Sequence, residues 1–170
     1  MNSINPRWIF LLFAIGCSGL VLAAVFIEPF KSMDACPMCM MQRVMFIFVA
    51  VFSLIACIHA PKKWGQKIYA VLTGLAAGVG AGVAIRQLWL QQLPEDRVPA
   101  CGPGLDYMLE VFPLLEVIEL ALRGSGDCAK VQWTFMSISI PGWSLIAFAG
   151  VVLLSLYILF KRQNSSETAA

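Results

Sequence analysis

The chain has 170 residues, of which 59% are hydrophobic and 13% are charged, and its formal net charge is +2. Soluble domains carry roughly 25% charged residues, so this composition argues against a soluble globular protein. With so small a net charge and no basic patch interleaved with aromatic residues, the sequence gives no support for nucleic-acid binding.

Four long apolar runs predict an all-α membrane protein, folded as a bundle of four transmembrane helices. A transmembrane helix needs about 20 predominantly apolar residues. The predicted spans cover residues 8–28, 40–60, 67–89 and 143–160. Two segments, 29–39 and 90–142, then lie together on one side of the membrane. We interpret the whole chain, 1–170, as a single membrane domain.

An alternative interpretation of the first run is a cleaved signal peptide, because residues 14–17 (AIGC) faintly resemble a lipoprotein cleavage box. The apolar core of a signal peptide is about 7–15 residues long. This run is longer and continues without a charge for ten residues beyond Cys17. A spanning helix is therefore the favoured interpretation.

The distribution of lysine and arginine predicts the orientation in the membrane. Arg7 precedes the first span, the linker 61–67 carries three lysines, and Lys161 and Arg162 follow the last span. Cytoplasmic loops near transmembrane helices carry an excess of these residues. Both termini and the linker are therefore predicted to be cytoplasmic, and the two long segments are predicted to face the other side, called here the outer side.

Cysteine placement follows from this orientation. Four of the six cysteines fall on the outer side: Cys36, Cys39, Cys101 and Cys128. Disulfides persist in oxidising, extracytoplasmic compartments. The other two, Cys17 and Cys57, lie within predicted spans and are interpreted as small apolar packing residues.

Glycines recur every four residues in the third span, at Gly74, Gly78 and Gly82. Small residues at this spacing allow helices to approach closely within a membrane. We therefore predict that this face of the third span contacts another helix.

The outer segment has an irregular first part and a helical second part. Residues 91–104 contain three prolines and two glycines. In residues 105–123, apolar residues alternate with acidic ones and Pro113 interrupts any single helix. This pattern predicts a long outer loop with one or two short helices that lie along the membrane surface.

The remainder of the outer segment leads back to the membrane. The stretch 124–128 (GSGDC) is interpreted as a flexible tether that carries Cys128. Trp133 and Trp143 are plausible anchors at the membrane–water interface. Cys101 and Cys128 are therefore both predicted to lie in mobile stretches, where thiol exchange has access.

The stretch ACPMCMMQR, residues 35–43, places two cysteines at the start of the second span. In a helix that begins near Cys36, Cys39 lies on nearly the same face and Arg43 lies one turn further on. Pro37 suits the first helical turn. A helix N-terminus and a nearby cation both favour a thiolate, so we predict a stabilised thiolate on Cys39 beside Arg43.

This arrangement leaves several functions open. Four cysteines can form a zinc site, although Cys101 and Cys128 lack the usual C-x-x-C spacing and are separated by 26 residues. They can also form two static disulfides in a membrane scaffold or binding protein. A redox couple is the third alternative and requires an electron acceptor. A lipid-soluble quinone suits a membrane helix bundle, since it needs only a cleft between helices.

Three motifs make the chain resemble a known family. They are CPMCMMQR at 36–43, PACGPG at 99–104 and GSGDCAKVQW at 124–133. With four predicted spans, they resemble the disulfide bond formation protein B (DsbB) family of bacterial inner-membrane thiol oxidases. The resemblance covers nearly the whole chain.

The resemblance implies a role for each motif residue. Cys36 and Cys39 resemble the membrane-proximal pair that passes electrons to a quinone, either ubiquinone or menaquinone. Cys39 would contact the quinone, with Arg43 as its electrostatic partner. Cys101 resembles the residue that forms a mixed disulfide with a periplasmic thioredoxin-like oxidase of the DsbA type. Cys128 would then attack the Cys36–Cys39 disulfide.

One position departs from the family pattern. Some members have a histidine near the outer end of the third span, and Gln87 stands at the corresponding position here. An amide does not titrate near neutral pH, so Gln87 is expected only to form hydrogen bonds. The resemblance also leaves open a paralogue that serves one specialised oxidase.

Overall fold

The structure is a computed structural model that describes residues 6–31, 36–59, 63–94, 97–98, 105–131 and 133–167. Within these ranges the chain forms four long helices, α1 Pro6–Lys31, α2 Pro37–His59, α3 Lys63–Gln91 and α7 Ile140–Glu167. Between α3 and α7 lie three short helices, α4 Leu105–Val111, α5 Leu114–Arg123 and α6 Gly126–Ala129, and then two short strands, β1 Thr134–Phe135 and β2 Ile138–Ser139.

Each long helix contains an apolar segment of sufficient length to cross a membrane. These segments are Arg7–Phe26, Pro37–His59, Trp64–Gln91 and Ile140–Phe160. They overlap the four spans predicted from sequence, and the prediction of an all-α, four-span membrane protein is confirmed. The third segment extends to residue 91, because the apolar run resumes after Arg86 and the helix continues through it.

The long helices pack in sequence, α1 on α2, α2 on α3 and α3 on α7. The polar contact of Gln42 with Gln87 and the contact of His59 with Tyr69 show that α2 and α3 are antiparallel. The end of α3 therefore lies beside the start of α2. We call this the cysteine end of the bundle, because α2 begins there directly after Cys36.

The core is held together by a close contact between α2, α3 and α7. The rings of Phe46 and Phe148 stack with their centroids 4.0 Å apart, and both side chains are buried. The far end of the Phe148 ring, with its Cζ and Cε atoms, lies against Gly80, where an added Cβ would overlap the ring. The absence of a side chain at residue 80 therefore lets α7 approach α3.

The glycine stripe predicted on the third span is only partly correct. A Cβ added at Gly74 would lie in ordinary contact with Ser155, but a Cβ at Gly78 or Gly82 would meet nothing within 4 Å. The buried face instead follows alternating steps of three and four residues: Ala70, Thr73, Ala77, Gly80, Ala84 and Gln87. A packed helix seam repeats every 3.5 residues, so residues spaced strictly by four drift away from it.

Pro113 separates the two short helices of the outer segment, as predicted. Helix α5 buries Val117 and Ala121 against the bundle. Arg86 on α3 donates a hydrogen bond to the carbonyl of Arg123 at 3.5 Å and connects the two helices. Four large apolar side chains of α5 remain exposed, Leu114, Leu115, Ile118 and Leu122. An exposed apolar face of this kind suits a helix lying at a membrane surface.

A short β-hairpin precedes α7 and was not predicted from sequence. Its two-residue turn holds Met136 and Ser137 at φ 51° and 65°. Positive φ at both central residues is typical of a type I′ turn, which matches the twist of paired strands. Trp133 stacks on Phe135, and Trp143 donates a hydrogen bond to the Phe135 carbonyl at 3.2 Å. The two predicted interfacial tryptophans thus belong to one aromatic cluster.

The packing at Gly80 predicts opposite effects for two neighbouring substitutions. Gly80→Ala should reduce the free energy of unfolding by about 1–3 kcal/mol, because Phe148 is fully buried against Phe46 and has little room to move. Gly78→Ala, on an open face of the same helix, should raise it by up to about 1 kcal/mol, since alanine favours a helix over glycine. Denaturant titration in detergent measures both. Equal effects at the two positions would contradict the contact with Phe148.

Candidate redox-active cysteine site

Cys36 and Cys39 are held at the N-terminus of α2. Pro37 occupies the first helical position, where its missing N–H leaves no partner unsatisfied. The Cys36 sulfur accepts a hydrogen bond from the backbone N–H of Cys39 at 3.3 Å, in the manner of a side chain that caps a helix. The two sulfurs lie on one face with their Sγ atoms 2.7 Å apart. The predicted proximity of Cys36 and Cys39 is therefore present in the fold.

Two buried glutamines adjoin this cysteine pair. Gln87 Nε2 lies 3.3 Å from the Cys39 sulfur and 3.4 Å from the Cys36 sulfur, as a donor to both. Its Oε1 accepts a hydrogen bond from Gln42 Nε2 at 2.7 Å. Each glutamine is only 3% exposed. The expectation that Gln87 acts as a hydrogen-bonding group is consistent with this geometry.

Gln42 is a residue that the sequence analysis missed, because it was included in the apolar run of the second span. The sequence feature that could have identified Gln42 is a polar, uncharged side chain inside a membrane-spanning helix. Such groups tend to face the interior of the bundle and to hydrogen-bond there. Its position three residues after Cys39 places it on the same side of α2 as the cysteines.

Cys128 reaches this cysteine pair from the outer segment. Cys128 lies in α6, is completely buried, and packs in one cluster with Cys36, Met38 and Leu90. Its sulfur lies 3.6 Å from the Ser125 hydroxyl and is hydrogen-bonded to Cys36. Short helix α6 thus carries Cys128 into contact with Cys36, the residue just before α2.

The stretch 124–128 differs from the flexible tether expected from its glycines. Gly124 adopts φ 84° and turns the chain between α5 and α6, and a Cβ there would overlap the side chain of Leu90. Gly126 is buried. The glycines therefore allow close packing of α6 against the end of α3.

The pKa values of two of these thiols move in opposite directions. The hydrogen bond from Cys36 lowers the pKa of Cys128 to about 5, although burial opposes this shift. The backbone of Ser125 and Met38 also hydrogen-bonds the sulfur. The pKa of Cys36 is raised, first by its hydrogen bond to Cys128, then by its contact with Cys39 and by burial. Negative charge in the reduced site therefore falls on Cys128 rather than on Cys36.

The remaining predicted residues are placed as follows. Arg43 is one turn beyond Cys39 on α2, is half-buried, and lies 3.7 Å from the Met40 sulfur through Nη1. Its electrostatic role toward Cys39 stays a prediction.

Two further cysteines complete the predicted set. Cys101 falls in 99–104, outside the residues that the structure describes. Cys17 packs in the bundle core, in agreement with its interpretation as a packing residue.

A shallow cleft, partly open to solvent, lies over the cysteine pair. Cys36 and Cys39 line it together with Gln87 and Gln91 of α3. Trp133, Ile140 and Pro141 supply apolar walls, and Asp127, Lys130 and Ser139 complete the lining. A mainly apolar cleft with a few polar groups is typical of sites for small organic molecules. The site therefore combines adjacent sulfurs with a partly apolar surface that is open on one side.

Comparison with known proteins identifies the family. Residues 6–158 match the family described as "Disulfide bond formation protein DsbB". A "Disulfide bond formation protein B" of Marinobacter nauticus is 47% identical over 163 residues, covering 96% of this chain and 97% of the relative. The protein of the same name from Hahella chejuensis is 48% identical over 147 residues, covering 86% of this chain and 89% of the relative.

A third relative, "Disulfide bond formation protein B 1" of Pseudomonas aeruginosa, is 42% identical over 158 residues, covering 93% of this chain and 97% of its own. The family match includes all four outer-side cysteines and the described bundle up to residue 158. The chain belongs to the DsbB family and is a multi-pass membrane oxidoreductase of bacterial disulfide bond formation.

Proposed function

We propose that the protein re-oxidises a periplasmic, thioredoxin-like dithiol oxidase of the DsbA type and passes the electrons to membrane quinone. The observation that carries this proposal is the buried contact between Cys128 and Cys36. It joins a cysteine of the outer segment to a cysteine at the membrane boundary. A purely structural pair of separate disulfides does not require this contact, whereas electron transfer between two pairs does.

The proposed route from the partner to the Cys36–Cys39 pair consists of four thiol–disulfide exchanges. A thiolate of the partner attacks Cys101 in the Cys101–Cys128 disulfide, forms a mixed disulfide and releases Cys128 as a thiolate. Cys128 then attacks Cys36 in the Cys36–Cys39 disulfide, which forms a Cys36–Cys128 bond and releases the Cys39 thiolate. The second thiol of the partner releases Cys101 from the mixed disulfide. Cys101 in turn attacks Cys128 and releases Cys36.

One cycle therefore oxidises the partner dithiol and leaves Cys36 and Cys39 reduced, with two electrons and two protons. The geometry suits each residue to its role. Cys128 is favoured as an anion over Cys36, to which it is hydrogen-bonded and which it attacks. Gln87 donates toward the Cys39 sulfur, the leaving group of that attack.

The quinone ring is proposed to dock over the cleft at the cysteine end. Trp133 and Ile140 offer apolar surfaces there, Gln91 offers a polar group, and both cysteines of the pair contribute to the lining. A quinone bound there would supply the acceptor for the two electrons and two protons of the dithiol. Arg43 and Cys39 are proposed to hold it, and Arg43 favours the anionic form of a nearby sulfur by its charge.

The same proposal includes the location of the site. The bacterial inner membrane provides both a quinone pool and an oxidising compartment on its outer face. The lysine and arginine distribution supports cytoplasmic termini and a periplasmic cysteine end. A partner in the periplasm then reaches Cys101 without crossing the membrane.

The entry point of electrons is tested by Cys101→Ala. Purified protein is mixed with quinone and a reduced thioredoxin-like oxidase, and quinone reduction is followed by absorbance. The substitution should abolish turnover, because the partner loses the sulfur with which it forms a mixed disulfide. Cys57→Ala, in the inner half of α2, is the matched control and should retain normal turnover. Normal turnover by Cys101→Ala would contradict the assigned route.

The role of Arg43 predicts a change in apparent quinone affinity. Arg43→Ala should raise the quinone concentration for half-maximal rate about tenfold, which corresponds to about 1.4 kcal/mol. Arg43→Lys keeps the positive charge and should lie between Arg43→Ala and the unmodified protein. An unchanged quinone dependence in Arg43→Ala would remove the residue from the site.

The low pKa of Cys128 predicts a titration that departs from that of ordinary cysteine. In reduced protein, Cys128 should remain a thiolate from neutral pH down to about pH 5 and become protonated below it. A cysteine with an unperturbed pKa of about 8.5 would already be protonated throughout this range. The ultraviolet thiolate absorbance lost in Cys128→Ser isolates the signal. A lost signal that titrates only above neutral pH would show that Cys128 is not the favoured anion.

A further inference from the structure

We infer that Gln42 is a positioning residue, which fixes the amide of Gln87 so that its NH2 group, and not its oxygen, faces the sulfurs of Cys36 and Cys39. The inference rests on the proposed function only in taking this cysteine pair as redox-active. It concerns the membrane-embedded side of the pair, where two uncharged amides stand close to the reacting atoms. In this role Gln42 acts through Gln87.

The orientation follows from matching donors with acceptors. A carboxamide has two N–H donors on one end and an acceptor oxygen on the other. Because Gln42 Nε2 donates to Gln87 Oε1 at 2.7 Å, the Nε2 end of Gln87 must point away from Gln42. It then lies 3.3 and 3.4 Å from the two sulfurs. With Gln42 held in this orientation, turning Gln87 over would oppose two NH2 groups and direct an oxygen toward the sulfurs.

The environment makes this orientation consequential. Both glutamines are 3% exposed, so water has little access to replace a lost partner. Hydrogen bonds are stronger in such a low-dielectric setting, and an unpaired polar group is costly. The contact between residues 42 and 87 also crosses from α2 to α3, and therefore depends on the packing of these two helices.

The amide distinguishes the two redox states of the cysteine pair. A thiolate is a charged acceptor and gains more from an N–H donor than do the sulfurs of a neutral disulfide. The NH2 group of Gln87 therefore stabilises the reduced pair relative to the disulfide. With its oxygen toward the pair, the same side chain would favour the disulfide. By setting the orientation, Gln42 makes the disulfide a stronger oxidant.

The test is the redox equilibrium of the cysteine pair against glutathione. The full chain carries Cys101→Ser and Cys128→Ser, so that Cys36 pairs only with Cys39. Samples are quenched with acid and alkylated, and the peptide that contains both cysteines is quantified by mass spectrometry. This assay contains neither quinone nor partner protein.

Gln87→Leu should shift the equilibrium about tenfold toward the disulfide, which is about 30 mV for a two-electron couple. Gln87→Met, with an unbranched side chain of similar length, should shift the equilibrium in the same way. It provides the test if the leucine variant does not fold. The Gln42 amide loses its acceptor in both redox states of these variants, so that loss largely cancels. An unchanged equilibrium in the variant that folds would overturn the inference.

The positioning role is tested by a double-mutant cycle. Gln42→Leu should shift the equilibrium about threefold in the same direction, because a free Gln87 amide presents either end to the sulfurs. In the Gln87→Leu background the same substitution should have no further effect, since it acts through Gln87. A full Gln42→Leu effect in that background would refute positioning. Thr73→Val removes a buried hydroxyl elsewhere on α3 and should leave the equilibrium unchanged.

The result also separates this inference from the proposed function. A shifted glutathione equilibrium in a protein that reduces no quinone would refute the electron acceptor and leave the amide orientation standing. Normal quinone reduction together with an unshifted equilibrium in Gln87→Leu would refute the role of the amide and leave the electron acceptor standing.

Discussion

The site depends on one buried contact, that between Cys128 of the outer segment and Cys36 at the start of α2. These cysteines are 92 residues apart in sequence, and neither sulfur is accessible to solvent to any useful extent. The contact requires α6 to dock against the end of α3, and Gly124 permits the turn that brings it there. Without this docking, the loop cysteine and the membrane cysteines would be two separate chemical sites.

The geometry of the bundle extends directly into the site. The buried seam of α3 that contains Gly80 continues along the same face to Gln87. Close approach of α7 at Gly80 and of α2 at Gln87 therefore belong to one packed face. A change in helix spacing in the apolar core would move the amide relative to the sulfurs, which connects packing energy with redox chemistry.

The polar groups of the site are arranged to limit their cost within a membrane. Gln42 and Gln87 satisfy each other, and Gln87 also reaches both sulfurs. Both polar groups beside the cysteine pair on the helix side are therefore amides. An amide pair holds a fixed hydrogen-bond direction across a wide pH range, because neither member gains or loses a proton.

Much of this protein was determined by local sequence. The four spans followed from run length and hydropathy, the break between α4 and α5 followed from Pro113, and the proximity of Cys36 and Cys39 followed from helical spacing. Each of these depends on neighbours along the chain. The family motifs added the roles of the outer cysteines and Arg43, which remain proposals.

Tertiary structure decided the features that depend on contacts between distant residues. Sequence spacing pointed to Gly74, Gly78 and Gly82, but the orientation of α7 selected Gly80, since that is where Phe148 inserts. A glycine-rich stretch read as a tether became a buried turn, because glycine permits close packing as readily as flexibility. The partner of Gln87 was likewise invisible along the chain: 45 residues separate it from Gln42, and only the antiparallel packing of α2 on α3 brings the two amides together.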